Sequence, residues 1–288
     1  MRAITRGRPD RAFTLVELLV GLVLGAVVLT GAYRVLLSSQ RFVRTQAAIL
    51  EVHQGVRAAA QVLVAELRGL DPTGGDIVAI GPDSISIHAP RRLAFVCAKP
   101  GGGRLVVRDT MSYGFRALDP ARDRALVLRD GGDPAAEAAW LDLAVTSATG
   151  GARCDDGAAG TTVGLAAPPG TLDSVLVGSP LRTYEREVYR LYADEGGLWW
   201  LGERSYSDGA WAALSPVAGP LQGRSGLLFS YSDTAGIPAA DPRVVARITI
   251  GIRGLSTAPV PGAGGHQVRF GDSLQVVVWP RNGRRAAR

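Results

Sequence analysis

The chain has 288 residues, of which 47% are hydrophobic and 20% charged. That balance excludes both a disordered chain and a membrane protein that crosses many times, and the length suffices for one large core or two modest ones. The formal charge of +6 is small for this length and argues against nucleic acid as the main partner.

The N-terminus carries Arg2, Arg6, Arg8 and Arg11 against Asp10, so half of the net charge sits in residues 1–12. An apolar run follows, from Phe13 to Tyr33. As a helix its length of about 21 residues spans roughly 31 Å, enough to cross a hydrocarbon core. Arginines before the run keep the N-terminus in the cytoplasm and export the remainder, and Arg34 beyond it can snorkel to the far interface. A cleaved secretory signal has the same basic start, but its core is shorter and ends at a small-x-small site that is absent here. Glu17 is also out of place in a signal core. An ionised carboxylate at that depth costs on the order of 2–4 kcal/mol without a partner. Gly21, Gly25 and Gly31 are spaced for close helix packing in a membrane.

The helical pattern continues beyond the apolar run. Ile49, Val52, Val56, Ala59, Leu63, Leu67 and Leu70 recur every three or four residues, one face of an amphipathic helix. Arg41, Arg44, Gln46, Glu51, Gln54, Arg57, Gln61 and Arg68 occupy the other face. Gly69 and Asp71-Pro72 end it. A helix from Phe13 to Leu70 is predicted to be roughly 85 Å long, and its second half needs a cover.

After Pro72 the chain reads as strands, because most of its 37 glycines and 17 prolines fall there between short alternating runs. Residues 77–80 and 84–88 form a predicted hairpin. Further strands are predicted at 92–97, 105–109, 126–128, 141–145, 174–177, 187–192, 198–204, 226–232, 244–252 and 273–279. No helical pattern long enough for a crossover separates them, so the sheet is predicted to be antiparallel. Residues 119–138 and 149–170 read as exposed loops, and a second subdomain is expected within roughly 95–180. Cys97 and Cys154 match no zinc or thioredoxin-like spacing; in an exported domain they are expected to form one structural disulfide. The predicted fold class is α+β: one long N-terminal helix, membrane-spanning then amphipathic, packed on an antiparallel, β-rich globular domain.

No enzymatic constellation emerges, and no catalytic residue, metal site or cofactor is predicted. His53, His88 and His266 fall on a helix, a hairpin and a glycine-rich loop, too dispersed for a metal or a triad. Tyr184, Tyr189, Tyr192, Trp199, Trp200, Tyr206 and Trp211 form the densest aromatic cluster. At strand spacing half of them point to a core, and the others can form a contact surface. The basic tail Arg281, Arg284, Arg285 and Arg288 reads as a solvated end.

The segment Arg11-Ala12-Phe13-Thr14-Leu15-Val16-Glu17-Leu18-Leu19 resembles the processing site of type IV prepilins and type II secretion pseudopilins. Looser likenesses to minor pilins of the PilW-like and pseudopilin-J-like types lie at 187–192, 198–201, 228–236, 244–252 and 273–282. The resemblance implies a leader, 1–12, removed by a prepilin peptidase that cuts between Ala12 and Phe13 and methylates the Phe13 amine. It further implies a transmembrane segment at 13–37, an amphipathic segment at 38–70 and an exported β-rich domain at 71–288. Glu17 becomes the assembly residue, its carboxylate pairing with the free amine of a neighbouring subunit. The implied partners are other pilin or pseudopilin subunits, the peptidase and an inner-membrane assembly platform. The implied place is the inner membrane, then a filament, with the N-terminus cytoplasmic and the C-terminal domain periplasmic or extracellular. The function implied is initiating or capping a type IV pilus or a type II secretion pseudopilus. The alternative is a surface adhesin or DNA-uptake module exported by the same route. The family usually has glycine where this chain has Ala12. The mature chain is expected to begin at a methylated Phe13, read by intact mass or Edman sequencing. Any other N-terminus contradicts the assignment.

Overall fold

No proline interrupts the chain between Pro9 and Pro72, so nothing removes a helical N–H or forces a kink. In the computed structural model, which describes residues 15–129, 139–262 and 266–281, this stretch is a single helix. Helix α1 spans Leu15–Arg68, 54 residues, or about 81 Å. Its end lies two residues before the predicted one, where Gly69 and Pro72 terminate it.

The remainder is antiparallel β-structure. In chain order the strands are β1 (Ile77–Ile80), β2 (Ser84–Gly101), β3 (Arg104–Arg108), β4 (Tyr113–Gly114), β5 (Arg124–Arg129), β6 (Ala139–Arg153) and β7 (Ala159–Leu165). They continue with β8 (Pro180–Ala193), β9 (Trp199–Ser207), β10 (Ala210–Trp211), β11 (Ser215–Leu221), β12 (Leu227–Ser232), β13 (Arg247–Pro261) and β14 (Gln267–Val278). Two long strands organise them. Strand β2 pairs with β1 and β8 along its first part and with β3 along its last. Strand β8 pairs with β5 through 181–184 and with β9 through 187–193.

One consequence is a sheet running β1-β2-β8-β9-β11-β13, with β12 and β14 on β13, beneath the second half of α1. Strict alternation makes this possible. On β13, Ile248, Ile250 and Ile252 face the helix; on β2, Ile85 and Ile87 do; on β8, Tyr189 and Leu191. They meet Val52, Val56, Ala59, Ala60, Leu63, Leu67 and Leu70 in one core. Ile49 is only half-buried, and the covered stripe starts with Ala48 instead. Glycine permits the closest approach. A Cβ on Gly55 would lie 2.5 Å from the Gly219 carbonyl oxygen, and one on Gly254 would meet Val52 and Val56 at 2.8 Å.

The other consequence is a small barrel. The pairings β2–β3, β3–β7, β7–β6, β6–β5, β5–β8 and β8–β2 close a ring of six strands. Ala94, Val96, Leu105, Val107, Val127, Val145, Val163 and Leu181 fill it. The second unit expected within 95–180 is this barrel, a separate core that shares β2 and β8 with the helix-bearing sheet.

Several local expectations are corrected. Residues 149–170 are no loop, since most of them build the β6–β7 hairpin. Two of their glycines, read as loop markers, serve close packing: a Cβ on Gly160 would strike Val106 at 2.7 Å, and one on Gly164 the Ser147 hydroxyl at 2.3 Å. The 119–138 stretch contains β5 from Arg124 onward, and 130–138 lie outside the described residues. Residues 174–177 form no strand but join two successive turns, and Val175 is buried because it packs into the barrel core. The strands expected at 84–88 and 92–97 are one, β2, which carries Pro90 across a register shift. Strand β11 was hidden by Pro216 and Pro220, which its irregular pairing with β9 accommodates.

Cys97 and Cys154 are joined, S–S 2.05 Å, tying the end of β2 to the β6–β7 hairpin across 57 residues of sequence. Closing a loop of that length stabilises by up to about 4 kcal/mol in the chain-entropy model. Reducing the bond is therefore expected to lower the denaturation midpoint of the barrel, read by denaturant titration with and without reductant. An unchanged midpoint contradicts a structural role.

Candidate functional site

Among the described residues, the sheet and barrel leave the first half of α1 largely uncovered. From Leu15 to Ala47 no residue is buried, although an 18-residue stretch there has a mean hydropathy of 2.3. Leu15, Leu22, Val28, Leu29 and Val35 are each more than 65% exposed. Each such side chain left in water forgoes about 1.5–3 kcal/mol. The helix is long and apolar enough to cross a bilayer.

Glu17 lies in the first described turn of this helix. One turn on, Gly21 and Gly25 are four residues apart, and among the described residues no atom beyond the adjacent residues and the helix's own backbone lies within 4 Å of where a Cβ on either, or on Gly31, would sit. The flank is an open small-xxx-small surface of the kind on which a second helix packs closely in lipid. Ala12 and Phe13, the predicted processing residues, lie outside the described residues.

The helix is fastened to the domain at its other end by buried charge. Arg91 on β2 is buried and holds three carboxylates at once. Its Nε donates to Glu185 Oε2 at 2.6 Å, its Nη1 to Glu66 Oε2 at 2.9 Å, and its Nη2 to Glu187 Oε1. Glu66 belongs to α1, and Glu185 and Glu187 to β8. The Tyr189 hydroxyl donates to Glu187 Oε2 at 2.9 Å. Arg116 adds bonds of 2.7 Å to Asp123 Oδ1 and Glu185 Oε1, and Arg122 reaches Glu185 at 4.0 Å.

These groups divide unequally. Glu66, Asp123, Glu185, Glu187 and Glu203 face Arg91, Arg116 and Arg122, so negative charge is in excess. Burial penalises the charge on Glu185, but the Arg91 hydrogen bond and the arginine charges win and hold its carboxyl below the usual range. On Glu187 burial wins over Arg91, with Glu66 adding repulsion, and its carboxyl is pushed up to about 7. Burial likewise raises Glu203, again with Glu66 as the next cause.

The histidines are not brought together. His53 on α1 contacts Asp272 Oδ2 on β14 at 2.8 Å, a bond that lowers the Asp272 carboxyl. His88 stacks on Tyr184 with ring centroids 4.2 Å apart, and burial lowers its pKa. His266 lies just before β14. Among the described residues no group of histidine, cysteine or acidic side chains could hold a metal ion. Of the aromatic cluster, Tyr184 and Tyr189 are buried, Tyr192, Trp199, Trp200 and Tyr206 half-buried, and Trp211 exposed.

Glu66, Arg91, Glu185 and Glu187 escaped the sequence reading. A signal existed: Glu185 and Glu187 alternate in phase with Leu181, Tyr189 and Leu191, on the buried side of β8.

The charged joint titrates. The raised Glu187 carboxyl binds its proton more tightly in the folded chain than in the unfolded one between the ordinary value of 4.5 and about 7. Stability is therefore full below that window and falls as pH rises through it. The full chain in detergent is expected to lose thermal stability from pH 5 to pH 7.5, and Glu187→Gln to flatten that limb. An unchanged slope in the variant contradicts the assignment.

The family model of the prokaryotic N-terminal methylation motif matches residues 7–33. No curated protein and no solved structure matches the chain.

Proposed function

Starting from a chain that carries the N-terminal methylation motif, the hallmark of type IV prepilin- and pseudopilin-like proteins, we propose that this protein is an assembly subunit. It is a minor pilin or pseudopilin that helps initiate or cap a type IV pilus or a type II secretion pseudopilus. The observation that carries the reading is the uncovered apolar half of α1, with a carboxylate in its first turn and an open glycine flank one turn on. A plain membrane anchor needs the apolar length alone. A helix that must later leave lipid for a bundle of like helices also needs a flat flank and a polar docking point.

In this reading the peptidase removes residues 1–12 at the cytoplasmic face of the inner membrane. The segment 13–37 holds the subunit in the bilayer, and the domain faces the periplasm. Glu17 then guides docking by pairing with the Phe13 amine of a neighbour, where low dielectric strengthens an ion pair that water would screen. A domain of this size, with a barrel added to the helix-bearing sheet, suits one or a few positions at a filament end better than every position along it. The role is structural rather than catalytic.

Glu17→Ala is expected to leave membrane insertion and the Cys97–Cys154 bond intact while reducing piliation or pseudopilus-dependent secretion at least tenfold. Normal assembly in that variant overturns the reading.

A further inference from the structure

Past the apolar run, α1 carries a charged face that its own chain does not answer. No Asp or Glu stands between Glu17 and Glu51, whereas Arg34, Arg41 and Arg44 fall in that stretch. All three are exposed, and none has a carboxylate partner among the described residues. The helix brings them together. At 3.6 residues per turn they lie within an arc of about 80°, and Val35, Leu36, Phe42 and Val43, each more than half exposed, lie outside it. Ala48, Val52 and Ala59 continue the same arc, and the domain buries them. The arginines therefore occupy the side of α1 that carries the domain, in the turns just before its edge.

Height along the helix narrows what they meet. The apolar run ends at Tyr33, and with 1.5 Å of rise per residue Arg41 and Arg44 stand about 11 and 15 Å beyond Arg34. Headgroups cover the hydrocarbon to a depth of about 5–8 Å on each side. Side chains of a helix lean toward its N-terminus, here toward the bilayer, and an arginine stem lies along apolar surface while its guanidinium seeks polar partners. Arg34 and Arg41 are therefore within reach of lipid phosphates, and Arg44 stands about one screening length above them. Guanidinium and phosphate match as a two-pronged, charge-assisted pair. Tyr33, 61% exposed, suits the same layer. The three arginines also carry a cost, because four before the run against three after it leave the orienting bias small. Anionic headgroups on the exit side offset that cost.

We propose that Arg34, Arg41 and Arg44 form a binding face for the phosphate headgroups of anionic phospholipid, in the leaflet beside which the domain sits. The contact fixes how deep α1 lies, ahead of the domain edge at Ala48. It selects lipid by charge, each arginine at the surface strengthening attachment by about fivefold. The inference rests on the bilayer-crossing helix of the reading above and is independent of the filament role.

The test reconstitutes the full chain in phosphatidylcholine nanodiscs that carry a trace of spin-labelled phosphatidylglycerol or of spin-labelled phosphatidylcholine. Electron paramagnetic resonance then gives the ratio in which the two lipids associate with the protein. The anionic lipid is expected to be preferred at least about threefold. That preference is expected to fall at least twofold in the triple variant Arg34→Gln, Arg41→Gln, Arg44→Gln. A control variant, Arg104→Gln, Arg129→Gln, Arg190→Gln, changes exposed positions on β3, β5 and β8 and is expected to leave it unchanged. The arginines of residues 1–12 are common to every variant, so the differences trace to the substituted positions. Folding is checked by an intact Cys97–Cys154 bond. Equal association of both lipids, a preference that survives in the first variant, or one lost in the control overturns the proposal. Any of these results from a chain that co-elutes with the discs refutes the lipid site alone. A chain that fails to enter the discs refutes the bilayer-crossing helix, and the lipid site with it.

Discussion

Everything in this molecule follows from one helix having to satisfy two surroundings. The backbone of α1 is continuous and closes its hydrogen bonds internally from Leu15 to Arg68, so only its side chains decide where each half can lie. From Val52 to Leu70 the apolar residues form a stripe, and a sheet with isoleucines on one face covers it. Before Ala48 they surround the helix, and no sheet of one face could cover them. The break in pattern, with no break in backbone, separates the part that the domain covers from the part that it leaves uncovered.

The joint between those parts is made of charge as well as hydrocarbon. A buried arginine with three carboxylates is costly to desolvate and contributes little net stability, but removing one partner leaves charge stranded and costs about 3–5 kcal/mol. Its worth lies in fixing position. Arg91 binds Glu66 of the helix and Glu185 and Glu187 of β8, and β8 is shared by the sheet and the barrel. Helix, sheet and barrel are thus indexed to a single guanidinium. The disulfide does for the barrel's far end what Arg91 does for its near end.

Much of this was legible in the residues. The apolar run, the basic leader and the three-and-four spacing from Val52 to Leu70 each report a one-dimensional periodicity, which survives without tertiary knowledge. The barrel was only half legible. Gly160 and Gly164 read as loop, because a glycine needed for close strand approach looks the same in sequence as one needed for a turn. Pro216 and Pro220 concealed β11 for a similar reason. The Arg91 cluster could not be placed, because its members come from positions 66, 91, 185 and 187 and meet only when β2 and β8 pair. In-phase acids on the buried face of β8 were the trace it left.

The central claim, that the two halves of α1 are protected by different things, is tested most directly by hydrogen exchange on the full chain in lipid nanodiscs and in mild detergent. The account predicts slow exchange of 48–70 in both media, set by the domain core. It also predicts slow exchange of 15–37 that is strengthened by lipid and unaffected by reducing Cys97–Cys154. Amides at 15–37 that exchange freely in the bilayer, or a stretch at 48–70 whose protection depends on lipid, would contradict it.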